Sequence, residues 1–373
     1  MQRDMHYYAT YAMAAAAGIP KEDAETIAYA SQYVDDQNDE DLISVREVGG
    51  DFCESVVTIP TAHHPLETGI FAGLGHLERE AANFVRRKTN HKEGRDDSRL
   101  VWVPFHFLPG NKGTNYLEKL VCQKDSAIAN EMLEHHLGFA QEDFGLVLAG
   151  IAAHVYADTF AHFGFAGVTS WLNSIDIDSI QISDGHGHET KNYVEGSASK
   201  FRRLYGFIEN AAHIGHGGVD TCPDRPFLKW AFRYKQSGHL ESRSNPDNFL
   251  EASRKLHAFF MRVAEKRYTE ASRGTIVPFD AIENAVQTLI AHEGEMTERE
   301  RAWTEAMEQG SLQVARCAAY SVGAWGSELD EALTERNFTR IRNSRAYSFH
   351  SAAEYHRHFV LKRLLPKHGL IVA

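Results

Sequence analysis

Apolar residues along this chain recur at three-to-four spacing and almost nowhere alternate with period two, which predicts an all-α fold: a multi-helix bundle interrupted by long loop insertions. Residues 5–17 read as a helix of small and aromatic side chains stopped by Gly18, and Pro20 opens a second helix over 20–36 at the position proline favours. In that helix Ala24, Ile27, Ala28, Ser31 and Val34 share a face. Asp35 extends it, so Asp35 is expected to point inward and Asp36 away. The pattern weakens over 37–115, where a β-like run at 55–60, a helix near 74–88 and an apolar segment at 100–108 stand out. Helices return at 116–137, 142–164 and 198–212, separated by loop-rich stretches over 168–195 and 213–226. Long amphipathic segments over 246–269, 278–309, 312–334 and 351–365 complete the chain. No linker, repeat or low-complexity run divides it, so one domain over 1–373 is expected, with irregular insertions near 37–115 and 168–195.

The run 144–167 approaches membrane-spanning length, yet His154, Asp158 and His162 in its middle make a lipid-facing helix costly. It reads as a buried core helix. At 3.6 residues per turn, positions i, i+4 and i+8 lie on one stripe with about 6 Å of rise between them, so the three side chains can converge. Burying a carboxylate between two imidazoles costs several kcal/mol unless cations or hydrogen bonds answer it. Divalent metal is the simplest answer, and the two carboxylate oxygens can bridge ions roughly 4 Å apart, the spacing of two-metal phosphoester chemistry. A metal-free His–Asp–His hydrogen-bonded ladder is the other arrangement this triplet supports.

Composition narrows the chemistry. The chain holds 21 histidines, an excess of the commonest transition-metal ligand. Its net charge of -12, without a Lys/Arg cluster, argues against double-stranded DNA as partner. Cys53, Cys122, Cys222 and Cys317 form no C-x-x-C pair, so neither a thiolate zinc site nor a disulfide framework is indicated, and a reducing compartment fits. The Ala-rich stretch at 13–18 follows a tyrosine-rich run with Arg3 as its one early cation, a poor signal peptide, so a cytoplasmic protein without a transmembrane segment is expected.

At these residues the sequence resembles the zinc-dependent phospholipase C and S1/P1 nuclease superfamily. Asp4-Met5-His6 matches its early histidine, Ala30-Ser31 through Asp35 its helix-ending aspartate, and Phe105-His106-Phe107 its aromatic-flanked histidine. His154 to Asp158, followed by His162, matches its core motif, and His216 to Asp220 its late pair. These islands are spread over residues 4–220, and their order is what is specific. The opening stretch also looks like an uncharacterised bacterial family. The four-residue gap from Asp158 to His162 is similar to the phospholipase-like domain of glycosylphosphatidylinositol-specific phospholipase D, where the nucleases have six.

The resemblance implies an all-helical hydrolase of phosphodiesters holding two or three zinc ions. Asp35, His106, His154 and Asp158 would hold one ion, and His162, His216 and Asp220 a second. His6, with Asp4, would share Asp158 with a third. It also implies that Asp35 orients or deprotonates the attacking water, with a phospholipid headgroup or nucleotide-like phosphoester as substrate. The family's amino terminus can ligate metal, but the five residues from Met1 to His6 argue against that here.

The remaining histidines have plainer readings. His63 and His64 are solvated or at the pocket rim, and His186, His188 and Glu189 form an exposed loop. Glu131, His135 and His136 form a solvated face; His213 substitutes for His216 if the late pair shifts; His350 and His356 pack and cap the last helix. Adjacent His-Asp, Glu-x-x-His, His-Glu-x-x-His and Gly-x-Ser-x-Gly are all absent, which excludes the HD-type, ferritin-like and common zinc-protease patterns and leaves no nucleophile elbow. The rival from another class is a non-catalytic helical protein that uses metal for stability or as a binding scaffold.

Overall fold

The computed structural model describes residues 1–38, 41–46, 53–58, 60–62, 98–168, 170–182, 219 and 221–372. A π-helical turn, Asp4–Ala9, runs into α1 (Thr10–Ala16), and Gly18, with φ +87°, turns the chain into α2 (Lys21–Asp36) behind Pro20. The segments α3 (Ala127–Leu137) and α4 (Gly145–His162) follow. All eighteen residues of α4 are buried, so its all-round apolar character makes it the axis of the core. The helices α2, α3 and α5 (Asn245–Arg267) pack around it, and α1 packs against α2 and α5. At the α2–α4 crossing a Cβ on Gly150 would lie 2.4 Å from the carbonyl oxygen of Ile27. Only glycine allows that approach, and it brings the last turns of α2 against His154.

Four further helices, α6 (Phe279–Ile290), α7 (Met296–Glu308), α8 (Ala324–Thr334) and α9 (Arg345–Phe359), enclose the core from the carboxyl side. The expected helix over 278–309 is divided near Gly294, where Glu295 and Glu298 build a capping box that restarts it. The expected helix over 312–334 begins only at Ala324. Its first part is drawn out because the hydroxyls of Tyr11, Tyr7 and Tyr29 donate to the carbonyls of Ala315, Ala318 and Ser321, which a helix would have used internally. Likewise 116–137 is broken between Lys119 and Ala127, where Val121 and Cys122 bridge to Ala166 and Pro109.

The fold is mostly helical but not all-α. An antiparallel hairpin, β1 (Asp41–Arg46) with β2 (Cys53–Thr58), stands inside the first expected insertion. A second antiparallel sheet in the order β3 (Ile175–Ile182), β4 (Lys229–Tyr234), β5 (Leu240–Ser244) begins in the other. Trp230 and Phe232 of β4 point into a satellite core with Val101, Trp102, Phe107 and Phe165, which lies at the carboxyl end of α4. The apolar segment at 100–108 is a π-helix, Ser98–His106, with Pro104 inside it. Among the described residues no helix is long and apolar enough to cross a membrane.

Candidate metal centre

The inner stripe of α4 meets the π-turn at His6, the end of α2 at Asp35, the end of the Ser98–His106 helix at His106, and a short 3-10 turn, Cys222–Asp224. Asp158 lies at the centre, 1% exposed. Its Oδ2 is 3.2 Å from His106 Nδ1, 3.3 Å from His154 Nε2 and 3.5 Å from His162 Nδ1. Its Oδ1 is 3.2 Å from His6 Nε2 and 2.8 Å from the Met1 amine. Asp35 closes the other side, with Oδ1 3.8 Å from His106 Nδ1 and 3.7 Å from His154 Nε2, and Oδ2 3.8 Å from His6 Nε2. His6 and His154 are stacked at 3.9 Å.

The outer nitrogens of these rings are spent on backbone. His154 Nδ1 bonds the Ser31 carbonyl at 2.8 Å and His106 Nε2 the Thr61 carbonyl at 2.8 Å. A carbonyl only accepts, so each of those ring nitrogens carries a proton, and in the neutral rings His154 Nε2 and His106 Nδ1 would be the acceptors. These inner nitrogens face one another at 3.3 Å, beside Asp158 Oδ2. Three acceptors so placed repel unless a cation or an added proton lies among them. His6 has no hydrogen-bond geometry at either nitrogen among the described residues, although its Nε2 approaches both carboxylates.

Burial opposes ionisation of Asp158, but His162, the Met1 ammonium and His154 outweigh it and hold the carboxyl well below its usual range. Burial likewise opposes protonation of His106, and the bond to Asp158 and the charge of Asp35 overcome it and raise its pKa. His6 is pushed down to about 3, by burial first and then by His154 and the Met1 ammonium. The ammonium is held up at about 11 because Asp158, Asp224 and Asp35 outweigh its burial.

His6, Asp35, His106, His154, Asp158 and His162 thus meet at one place, as the sequence leads one to expect. Asp4 does not join them. It lies on the opposite side of the π-turn from His6, and its Oδ2 receives Arg299 Nε at 2.6 Å, so it serves as the counter-ion of a buried guanidinium. His213, His216 and Asp220 lie outside the described residues, as do His63, His64, His186, His188 and Glu189.

Two further groups lie at the centre: Asp224, which the motif spacing does not single out, and the Met1 amine, which the five residues to His6 argue against. Asp224 Oδ1 is 3.0 Å from His162 Nε2, four positions beyond the aspartate of the motif, and the Met1 amine is 3.2 Å from the same oxygen. The signal for Asp224 was Cys222-Pro223-Asp224, a turn that projects a carboxylate and lies outside the His-x-x-x-Asp spacing.

The sheet and the start of α5 hold this half of the centre. Asn245 Nδ2 donates to the carbonyls of Cys222 and Arg225 at 2.6 and 2.7 Å, and its Oδ1 accepts from Trp230 Nε1, so the turn bearing Asp224 is tied on both sides. Arg243, buried among Phe163, Phe165, Trp230 and Phe232, donates to the carbonyls of Ala161 and Phe163 and so caps α4 at His162. A Cβ on Gly164, whose φ is +85°, would meet Tyr234 Oη at 2.4 Å, so glycine is required where the cap turns.

The other histidines depart from their simple readings. His136 is buried rather than solvated, and its Nε2 bonds His356 Nδ1 at 2.8 Å. His135 lies flat on Phe359 and bonds Tyr355 Oη, while Glu131 pairs with Lys367 and His368.

No curated protein and no solved structure matches this chain. A family model does, over residues 1–364, and by that match the chain belongs to a family of unknown function, DUF6765.

Proposed function

We propose that this protein is a metal-dependent phosphoester hydrolase with a phospholipase C-like or nuclease-like helical centre, using zinc or a similar divalent ion. One observation carries the reading: the inner ring nitrogens, His106 Nδ1 and His154 Nε2, face each other beside Asp158, at 3.2 to 3.3 Å. A proton shared there would draw the partners to the roughly 2.7–2.9 Å of a charge-assisted hydrogen bond. Mutual spacings of 3.2 to 3.8 Å, around a common space shared with Asp35 and His6, suit ligands of one ion instead. The donor set is imidazole and carboxylate without thiolate, which fits zinc or a neighbouring divalent metal.

His106, His154, Asp35 and Asp158 would hold one ion; His6 would share Asp158; His162 and Asp224 would hold a further one, with Asp224 in the role expected of Asp220. When bound, such ions polarise a phosphoryl oxygen and bring the pKa of water towards neutrality. Asp35, 30% exposed on its side chain against 13% for Asp224, is the most exposed of these described residues. It is therefore placed to orient an incoming water and accept its proton, while Asp158, between the imidazoles, fixes the spacing. The net charge of -12 favours a small or lipid-derived phosphodiester over a nucleic-acid duplex.

A second reading, metal held for stability alone, draws on the burial of His6, His106, His154, Asp158 and His162, each at most 5% exposed. Metal analysis followed by assays on phosphatidylcholine, single-stranded oligonucleotides and a chromogenic phosphodiester separates the two. Turnover that vanishes with chelator and returns with zinc supports the hydrolase; bound zinc with no turnover on any of the three leaves the stability role.

A further inference from the structure

Helix α9 reaches the centre from outside, through two adjacent residues. Arg357 is 3% exposed, and burial alone pushes its guanidinium down to about 9. A buried guanidinium is expensive to keep unless its N–H groups are used, and here they grip backbone. Its Nε donates to the carbonyl of Leu100 at 2.7 Å and its NH2 to that of Pro60 at 2.9 Å. NH1 pairs with Glu354, and the plane sits 5.0 Å from the ring of Phe105. Beside it, His356 Nε2 donates to the carbonyl of Pro104 at 2.8 Å, a tautomer fixed because His356 Nδ1 faces His136 Nε2.

Those three carbonyls lie on the two segments that hold His106. Leu100 and Pro104 belong to the π-helix that ends on it, and side chains of α9 donate to both carbonyls. Pro60 precedes Thr61, whose carbonyl takes the His106 Nε2 proton. One guanidinium therefore holds both the helix that carries His106 and the peptide next to the one that sets its tautomer. Lysine has the charge but not the fork that reaches two separate carbonyls.

We propose that Arg357, with His356 beside it, is a positioning residue of the metal centre, which fixes His106 so that Nδ1 faces the ion. The proposal rests on the reading that the centre binds metal.

The test uses the full-length chain carrying Arg357→Lys, Arg357→Met or His356→Gln, with His106→Ala as reference. Zinc affinity is read by competition with a chromophoric chelator, the visible spectrum is read with cobalt(II), and the unfolding temperature is read with metal removed. Outer-shell partners of metal-binding histidines change affinity by roughly 10–100-fold. Arg357→Lys is expected to weaken zinc binding within that range and to alter the cobalt spectrum, with a smaller fall in the metal-free unfolding temperature. His356→Gln should give the lesser effect in the same direction. Wild-type zinc affinity and cobalt spectrum in both Arg357→Lys and His356→Gln would overturn the proposal, however much their metal-free stability falls, and Arg357 would then be structural only. If the Met variant does not fold, Lys and Gln decide. Failure of the wild-type chain to bind zinc or cobalt would overturn the metal reading itself, and this proposal with it.

Discussion

Among the described residues, two buried histidine clusters solve the same problem differently. In one, His136, His356 and the carbonyl of Pro104 form a chain in which each N–H finds an acceptor. His136 and His356 both have their pKa lowered by burial, and the chain stays neutral. In the other, His6, His106, His154 and His162 surround two carboxylates, and the nitrogens left over after backbone bonding converge on them. Burial of imidazole is common to both. What distinguishes the second cluster is that its leftover ring nitrogens gather around two carboxylates, a density of acceptors and negative charge that the first cluster lacks.

The largest effect should come from the carboxylate that only one cluster has. Asp158→Asn keeps the shape but removes the charge, and is expected to release metal and lower phosphodiesterase activity by more than about a hundredfold, beyond the usual effect of an outer-shell change. Metal content and turnover at wild-type levels in that variant would remove the basis for the contrast.

Acid should act next, through the neutral cluster. His356 falls to about 4 in the folded protein against about 6.5 in a free chain, so the unfolded state takes up the proton first. The stability this confers is complete above pH 6.5 and is lost as pH falls through 4, an amount of about 3 kcal/mol. Chemical denaturation of metal-free protein between pH 7 and 4 should therefore show a slope that His356→Gln reduces; equal slopes in the two proteins would mean that His356 is not held neutral.

Zinc should act on the other cluster. At a concentration a hundredfold above its dissociation constant, each bound ion adds about 2.7 kcal/mol to stability. A chelator should lower the unfolding temperature of the wild type, leave that of Asp158→Asn nearly unmoved, and lower that of His356→Gln by somewhat less than that of the wild type. The smallest effect belongs to Asn245→Asp, which keeps the acceptor for Trp230 but loses the donors to Cys222 and Arg225. It should weaken the ion at His162 and Asp224 by roughly tenfold. Titration with zinc would then resolve one weakened equivalent; uniform weakening of all equivalents would mean that the turn is not held separately.

The helical framework and the core of this site could be read from the chain because both depend on short-range periodicity. The four-residue steps from His154 to His162 fix a stripe, and the Ala28–Ser31–Asp35 face fixes another. What escaped depends on chain reversal. Ile175-Asp176-Ile177-Asp178 and Trp230-Ala231-Phe232 do alternate, but over spans too short to stand against helical neighbours, and their pairing was set by β5 and by Arg243 capping α4. Asp224 and the Met1 amine reach the centre through tertiary folding, which no spacing rule encodes. Asp4 was misassigned because it sits two residues from His6, yet adjacent turn positions face different neighbours, and Arg299 is nearly three hundred positions away.

The grip of Arg357 on Pro60 and Leu100 has a practical consequence. It ties the peptide before Thr61 and the first turn of the helix ending at His106 to a single side chain near the far end of the chain. Damage to that last long helix would therefore be felt at an imidazole carried by another element.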